Sequence, residues 1–300
     1  LDIITGGQIE FADVELKEFQ PHPLTSSSPF NNAVRPQGFH YNYQVNSQSI
    51  SFFSGFDDFL ISKIFKAFGD FRFENLSYSY DNKMLSGNTR DNGIPCSFGG
   101  CFYSRPRDRR DYFNEVSFRL GIESEPKQVS FFSQISSGFR PPQVNELYRL
   151  QKKQKVTDID SEKLFMLEGG IKLVLRSFEG KLSIYSGKKR NSIFRDANNF
   201  ILDNGKTNHK GLEFLSKLDL NSYNSFFLNF SLEHHKYDFS SDTSLGEEII
   251  IGNYIDTAPK FKGNIRWHFY ASNSLFSEVE VERMSSYYTD AANDHNYDGH

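Results

Sequence analysis

Apolar and polar residues alternate along most of this 300-residue chain. Phe226, Leu228, Phe230 and Leu232 fall on one side of an extended segment, with Asn229, Ser231 and Glu233 on the other. Val116, Phe118, Leu120 and Ile122 alternate with Glu115, Ser117, Arg119 and Glu123, and Ile265, Trp267 and Phe269 with Asn264, Arg266 and His268. Ile171, Leu173 and Leu175 against Lys172 and Arg176 repeat the theme, as do Val279 and Val281 among Glu278, Glu280 and Glu282. A period of two belongs to a strand with unlike faces. A helix needs apolar residues three and four apart, and these windows lack that spacing. The pattern predicts about eleven strands and almost no helix.

The connectors alternate in kind. Short ones are expected at residues 61–66, 124–127, 177–179, 221–224 and 272–274, and long polar ones at 20–38, 82–112, 139–161, 197–205 and 240–259. Tight turns at one end of a meander and long loops at the other describe an antiparallel up-and-down transmembrane β-barrel, with short periplasmic turns and long extracellular loops. Segments such as 206–220 and 179–195 exceed the roughly 9–11 residues that cross a bilayer at a tilt. Tyr41, Tyr43, Tyr78, Tyr80, Tyr237, Phe239, Tyr287 and Tyr288 cluster near strand ends, where a barrel carries aromatic girdles.

Composition narrows the alternatives. Only 37% of residues are hydrophobic and mean hydropathy is -0.56, so no apolar run reaches the length of a membrane-spanning helix. Aromatics at 16%, chiefly Phe and Tyr, argue against disorder. A net charge of -4 without a basic stripe speaks against a nucleic-acid partner. A soluble all-β domain, such as a carbohydrate-binding sandwich, remains the competing architecture. A propeller would show repeated blade motifs, and none is present. The chain opens at Leu1 without an initiator Met and stops in a polar stretch at His300, so it is expected to be a piece of a longer chain.

Several words of sequence are recognisable. Residues 138–148, Gly-Phe-Arg-Pro-Pro-Gln-Val-Asn-Glu-Leu-Tyr, resemble the GFR-x-P-x-x-x-E-L-Y stretch of TonB-dependent outer-membrane receptors. Asp160-Ser161-Glu162-Lys163 and Leu167-Glu168-Gly169-Gly170-Ile171-Lys172 follow it, Asn204–Glu213 is similar to a recurring strand start, and Ala258-Pro259-Lys260-Phe261-Lys262-Gly263-Asn264 to a later strand entry. The resemblance covers about residues 39 to 300. It implies residues 1–300 as a partial barrel domain, about 11 of 22 strands, whose plug domain lies elsewhere. It further implies import of a scarce ligand, foremost an iron–siderophore complex, driven by TonB through a box on the plug. Haem, cobalamin and oligosaccharides stand behind. A passive porin or a surface adhesin without TonB coupling is the alternative function. Outer-membrane lipid and lipopolysaccharide are the expected surroundings. Arg119, Lys172, Glu213, Arg266, Glu278 and Glu280 are expected to face the lumen.

Chemistry-bearing residues are few. Cys96 and Cys101, the two cysteines, sit in one long connector and suit a disulfide; a two-thiol metal site is the alternative, short of two further ligands. The family's similar Cys-containing loop adds support to the disulfide. The run Arg105-Pro106-Arg107-Asp108-Arg109-Arg110-Asp111 could meet an anionic ligand or lipopolysaccharide phosphates through guanidinium contacts, or could pair with itself in solvent. Arg105, Arg107, Arg109 and Tyr112, with Arg140 and Tyr148 of the first word, are the candidate ligand-binding residues. Lys152-Lys153-Gln154-Lys155 and Lys188-Lys189-Arg190 invite the same two readings. Adjacent His234 and His235 should face opposite sides, a poor geometry for one metal. His295 and His300 with Asp294 and Asp298 could form a loop cation site or simply a polar loop. No phosphate loop, nucleophile elbow or zinc-protease motif occurs, so no enzyme and no cofactor is expected.

Overall fold

The computed structural model describes residues 1–125, 128–151, 154, 159–195, 201–241, 248–272 and 275–300. In chain order its elements are β1 (Asp2–Gln20), α1 (Pro29–Val34), β2 (Gly38–Leu60), β3 (Phe65–Asn82), β4 (Tyr103–Ser104), β5 (Arg109–Ser124), β6 (Val129–Arg140) and α2 (Val144–Tyr148). Then follow β7 (Leu150–Gln151), β8 (Glu162–Val174), β9 (Phe178–Arg195), β10 (Ile201–Asn221), β11 (Asn224–Tyr237), β12 (Phe261–Ser272), β13 (Leu275–Met284), β14 (Tyr287–Tyr288) and β15 (Asn296–Tyr297). Eleven of these strands make one antiparallel up-and-down sheet, β1-β2-β3-β5-β6-β8-β9-β10-β11-β12-β13. The remaining four form two-residue pairs among the connectors, β4 with β7 and β14 with β15.

The tight turns are made by small polar side chains. At 61–64 the Ser62 hydroxyl accepts from the Ile64 and Phe65 N–H groups, each at 3.2 Å. Between β10 and β11 the Asn221 side chain accepts from the Tyr223 N–H at 2.9 Å. Residues 126–127 and 273–274, parts of two expected turns, lie outside the described residues. At the other end, three strands reach further than the alternation suggested. β5 begins at Arg109, β6 runs on to Arg140 and β10 starts at Ile201. Arg109 and Tyr112 therefore stand on a strand and not in a loop.

Register puts the apolar rows on one face. Leu120 pairs with Ile135 and Ile135 with Leu167; Leu182 pairs with Ile171 and Phe214; Trp267 pairs with Phe226 and Val279. These side chains are not covered by protein: Ile184 is 61% exposed and Val281 65%. On water that would forfeit about 1.5–3 kcal/mol for each large aliphatic residue. The same face solvated by acyl chains loses nothing. The opposite face carries Arg119, Lys172, Glu213, Arg266, Glu278 and Glu280, with ion pairs Arg119–Asp70 at 2.6 Å, Lys172–Glu123 at 2.6 Å and Arg266–Glu280 at 3.1 Å.

The buried core lies on this inner face, at the long-connector end. Tyr41, Tyr43, Val45, Leu76, Tyr80, Tyr103, Phe113, Leu147, Tyr148 and the two cysteines pack together there, and Tyr237, Ile249 and Ala291 form a second cluster. This corrects the girdle reading of Tyr41, Tyr43, Tyr80 and Tyr237, which are at most 2% exposed. They occupy inward positions of their strands, and the connectors fold over them. The boundary tyrosine is instead Tyr112, 61% exposed on the outer face in line with Val116 and Leu120.

Candidate functional site

The connector between β3 and β5 is organised around Arg105. This residue is 2% exposed. Its Nε donates to the Leu85 carbonyl at 2.7 Å, Nη1 to the His40 carbonyl at 3.1 Å and Nη2 to the Thr89 carbonyl at 2.7 Å. A planar, always charged fork satisfies three carbonyls from two stretches of chain at once, in a fixed geometry that the compact ammonium of lysine does not offer. Arg105 therefore holds the loop and is not presented to a ligand. Cys96 and Cys101 are joined by a disulfide, with Cα atoms 4.8 Å apart. Inside that ring Phe98, Gly99 and Gly100 all have positive φ, and a Cβ at Gly100 would run into the Asn88 amide. From the ring, Phe102 N–H reaches back to the Val34 carbonyl at the end of α1, at 2.8 Å.

A second knot joins β6, α2, β8 and β9. Arg140 meets Glu146 through both Nη atoms at 3.0 Å and Glu162 through Nε at 2.5 Å. Lys189 adds a contact to Glu162 at 2.9 Å. The prolines at 141 and 142 end the ladder, and α2 starts where Glu146 accepts from the Gln143 N–H at 2.7 Å. The bond to Glu162, then those to Glu146, hold the Arg140 guanidinium charged beyond its ordinary range. Burial raises the Glu162 carboxyl, but Arg140, the Ile193 N–H and Lys189 outweigh it, and the net shift is downward. Tyr148, wholly buried, stacks on Tyr80 at 4.3 Å and donates to Asp111 at 2.6 Å. Burial, then the Asp111 carboxylate, push its phenol up. Arg109 is turned onto the same Asp111.

Of the expected ligand residues, Arg109 and Tyr148 thus meet on Asp111, and Arg140 is held by Glu146 and Glu162. Tyr112 points to the opposite face. Arg107 is exposed and makes no ion pair among the described residues. Lys152, Lys153 and Lys155 lie outside the described residues.

A cavity of about 390 Å³ opens beside this network at the same end, lined by Glu18, Gln20, Arg35, His40, Tyr41, Phe102, Tyr103, Arg149 and Gln151. Arg149 contacts Glu18 at 2.8 Å and lies over the Tyr41 ring at 5.9 Å, and Arg35 lies over Phe102 at 4.8 Å. His40 places Nδ1 3.4 Å from Glu18 and Nε2 2.7 Å from the Pro36 carbonyl. Two guanidiniums over aromatic rings can hold an anionic, partly aromatic molecule. Sequence reading missed these residues because they come from four segments that are distant in the chain. The one local hint was Arg149, directly after the Glu-Leu-Tyr word.

The histidines divide as their positions imply. His235 turns inward to His209 at 2.9 Å and Glu233 at 3.0 Å, while His234 lies on the outer face near Tyr254. His295 is bound to Asp290 at 2.8 Å, and Asp290 also accepts the Asp294 and His295 N–H groups. Among the described residues no three His, Cys, Asp or Glu side chains are arranged to hold a metal ion.

Comparison with known proteins follows the same lines. Residues 7–300 match the family model described as TonB dependent receptor-like, beta-barrel. No curated protein matches the sequence. Among solved structures, the chain resembles the ferric yersiniabactin uptake receptor of Yersinia pestis, with a TM-score of 0.70 at 13% identity, over 100% of this chain and 42% of that one. It resembles the closed form of the ferric-catecholate import receptor of E. coli K12 with a TM-score of 0.69 at 14% identity, over 99% and 44%. A ferric citrate transporter in its unliganded form gives a TM-score of 0.68 at 14% identity, over 99% and 42%. The chain therefore spans less than half the length of these proteins, and at such identities the likeness is one of fold.

Proposed function

The chain belongs to the TonB-dependent receptor β-barrel family, whose barrels lie in the Gram-negative outer membrane, and from that membership we propose that it walls a receptor importing an anionic ferric chelate. The observation that carries this reading is the family match over residues 7–300. Solved structures of similar fold that are receptors or transporters for ferric yersiniabactin, ferric-catecholate and ferric citrate support the cargo class. The cavity at the long-connector end supports it too, since Arg35 over Phe102 offers charge to an anionic chelate, and the Tyr41 ring beneath the Glu18-paired Arg149 offers a flat surface. Arg107, exposed on the connector between β3 and β5, is a further guanidinium for a first encounter. The inner face, with its rows of ion pairs, is the surface on which a plug would seat. TonB acts through that plug.

The test is uptake by the full-length receptor in a host stripped of its own siderophore receptors. Radioactive iron offered as ferric siderophores should accumulate in cells that have TonB and should not in cells that lack it. Equal accumulation without TonB would mean a passive pore, and no accumulation with any ferric chelate would remove iron as the cargo.

A further inference from the structure

Register brings two histidines from separate strands face to face. His209 on β10 lies opposite His235 on β11, and directly opposite residues of a sheet carry their Cβ atoms within about 4.5–5.5 Å. Both side chains turn to the lumen, with ring centroids 4.8 Å apart and Nδ1 atoms 2.9 Å apart. On the far side of each ring Nε2 has its own partner: the Glu233 carboxylate at 3.0 Å for His235, and the Thr207 hydroxyl at 2.7 Å for His209. Across β9, His209 faces Gly187, which has no side chain, and the Met166 chain of β8 lies over that glycine. Lys189, opposite Thr207 on β9, is turned to Glu162 at 2.9 Å.

A carboxylate only accepts, so a neutral His235 keeps its proton on Nε2 and turns a lone pair on Nδ1 toward its neighbour. With no metal bound, the His209 Nδ1–H donates to that lone pair while its Nε2 accepts from Thr207. A hydroxyl can reverse its direction. Once the His209 proton sits on Nε2 and donates to Thr207, both Nδ1 lone pairs are free for one cation, and no proton leaves the pair. The spacing selects the cation. Two nitrogens at the roughly 2.0–2.1 Å of a metal–imidazole bond stand about 2.9 Å apart at a right angle and about 3.3 Å apart in a tetrahedron. The right angle belongs to square-planar and tetragonal sites, which copper(II) and nickel(II) prefer, and copper(II) binds most tightly of the first-row divalent series. Glu233 supplies the carboxylate of a carboxylate–histidine–metal triad, which fixes the ring and raises its basicity. Among the described residues no set of three His, Cys, Asp or Glu ligands occurs, so lumen water takes the remaining positions.

We propose that His209 and His235 form a copper(II) site on the lumen wall, with Glu233 and Thr207 as the partners that orient the two rings. The bound ion ties β10 to β11 toward their outer ends. Neither strand lines the cavity that holds Arg35 and Arg149, and the site does not depend on which chelate the receptor imports.

The test adds copper(II) to the untagged, metal-stripped full-length receptor in detergent and follows its electron paramagnetic resonance. One tightly held copper(II) should show coupling to two imidazole nitrogens, and excess magnesium should not displace it. Glu233→Ala should keep both nitrogens and bind roughly 10–100-fold more weakly. His209→Gln and His235→Gln should each lose one nitrogen and weaken binding further. His234→Gln, one residue away on the outer face, should behave as the unmodified receptor. No nitrogen-coupled copper in the unmodified receptor, which needs no variant to fold, would overturn the proposal. So would both nitrogens surviving in His209→Gln or His235→Gln, or an equal loss in His234→Gln.

Discussion

At the scale of single residues, the outer end depends on a few charged groups whose partners lie far away in sequence. Arg105 serves carbonyls of Leu85, His40 and Thr89. Arg105→Lys keeps the charge and loses the fork, leaving at least one buried carbonyl unpaired. A loss of about 2 kcal/mol is expected, read as earlier urea unfolding of the full-length receptor and faster proteolysis within the 82–108 connector. Glu162 adds a pH dependence. Its folded carboxyl is held below the ordinary value of 4.5, so its contribution is complete above that value and is lost as pH falls through the folded one. Acid titration of the receptor should therefore loosen the Arg140–Glu162–Lys189 knot, and Glu162→Gln should flatten that part of the profile while costing about 1–3 kcal/mol at neutral pH. A profile unchanged by the substitution would mean that another carboxylate controls the acid limb.

At the scale of elements, β13 gives the clearest contrast between faces. Val279 and Val281 share a face with Trp267 and Ile265, while Glu280 turns to Arg266 and Asn264. In the full-length receptor refolded into lipid vesicles, Val281→Arg should cost about 2–4 kcal/mol near the bilayer midplane. Glu280→Gln should leave folding nearly unchanged, its carboxylate being exposed and its ion pair worth little. Equal tolerance of the two would place this strand outside the lipid. These alternations were legible in the sequence because register conserves side: once β12 pairs with β13, every second residue is fixed. The ends of the same strands were not legible. Tyr41, Tyr43, Tyr80 and Tyr237 read as boundary aromatics because local pattern cannot say that a connector will fold back over them. α1 was missed for a similar reason, its signals being only Ser28 at the cap and Pro29 at the first turn. The short helix α2 was foreseeable, since two prolines and an acidic residue mark its start.

At the scale of the whole molecule, eleven strands bring residues from across the chain to one outer vestibule, and it is there that sequence reading fell short. Arg105, Arg140 and Tyr148 read in the sequence as candidate ligand-binding residues, and in the fold they brace the vestibule wall. The cavity lined by Arg35 and Arg149 draws on β1, on the segment around the start of β2, on the connector between β3 and β5 and on the segment after α2, a conjunction no local motif encodes. What holds these levels together is orientation: long connectors outside, tight turns inside, aliphatic rows in the bilayer. The most direct measurement of that is cysteine labelling of the full-length receptor on intact cells. Ser240→Cys, in the connector after β11, should react with a membrane-impermeant maleimide on whole cells. Ser222→Cys, in the β10–β11 turn, should react only after the outer membrane is permeabilised. Labelling of Ser222→Cys but not of Ser240→Cys on intact cells would contradict the orientation, and with it the placing of the cavity at the cell surface.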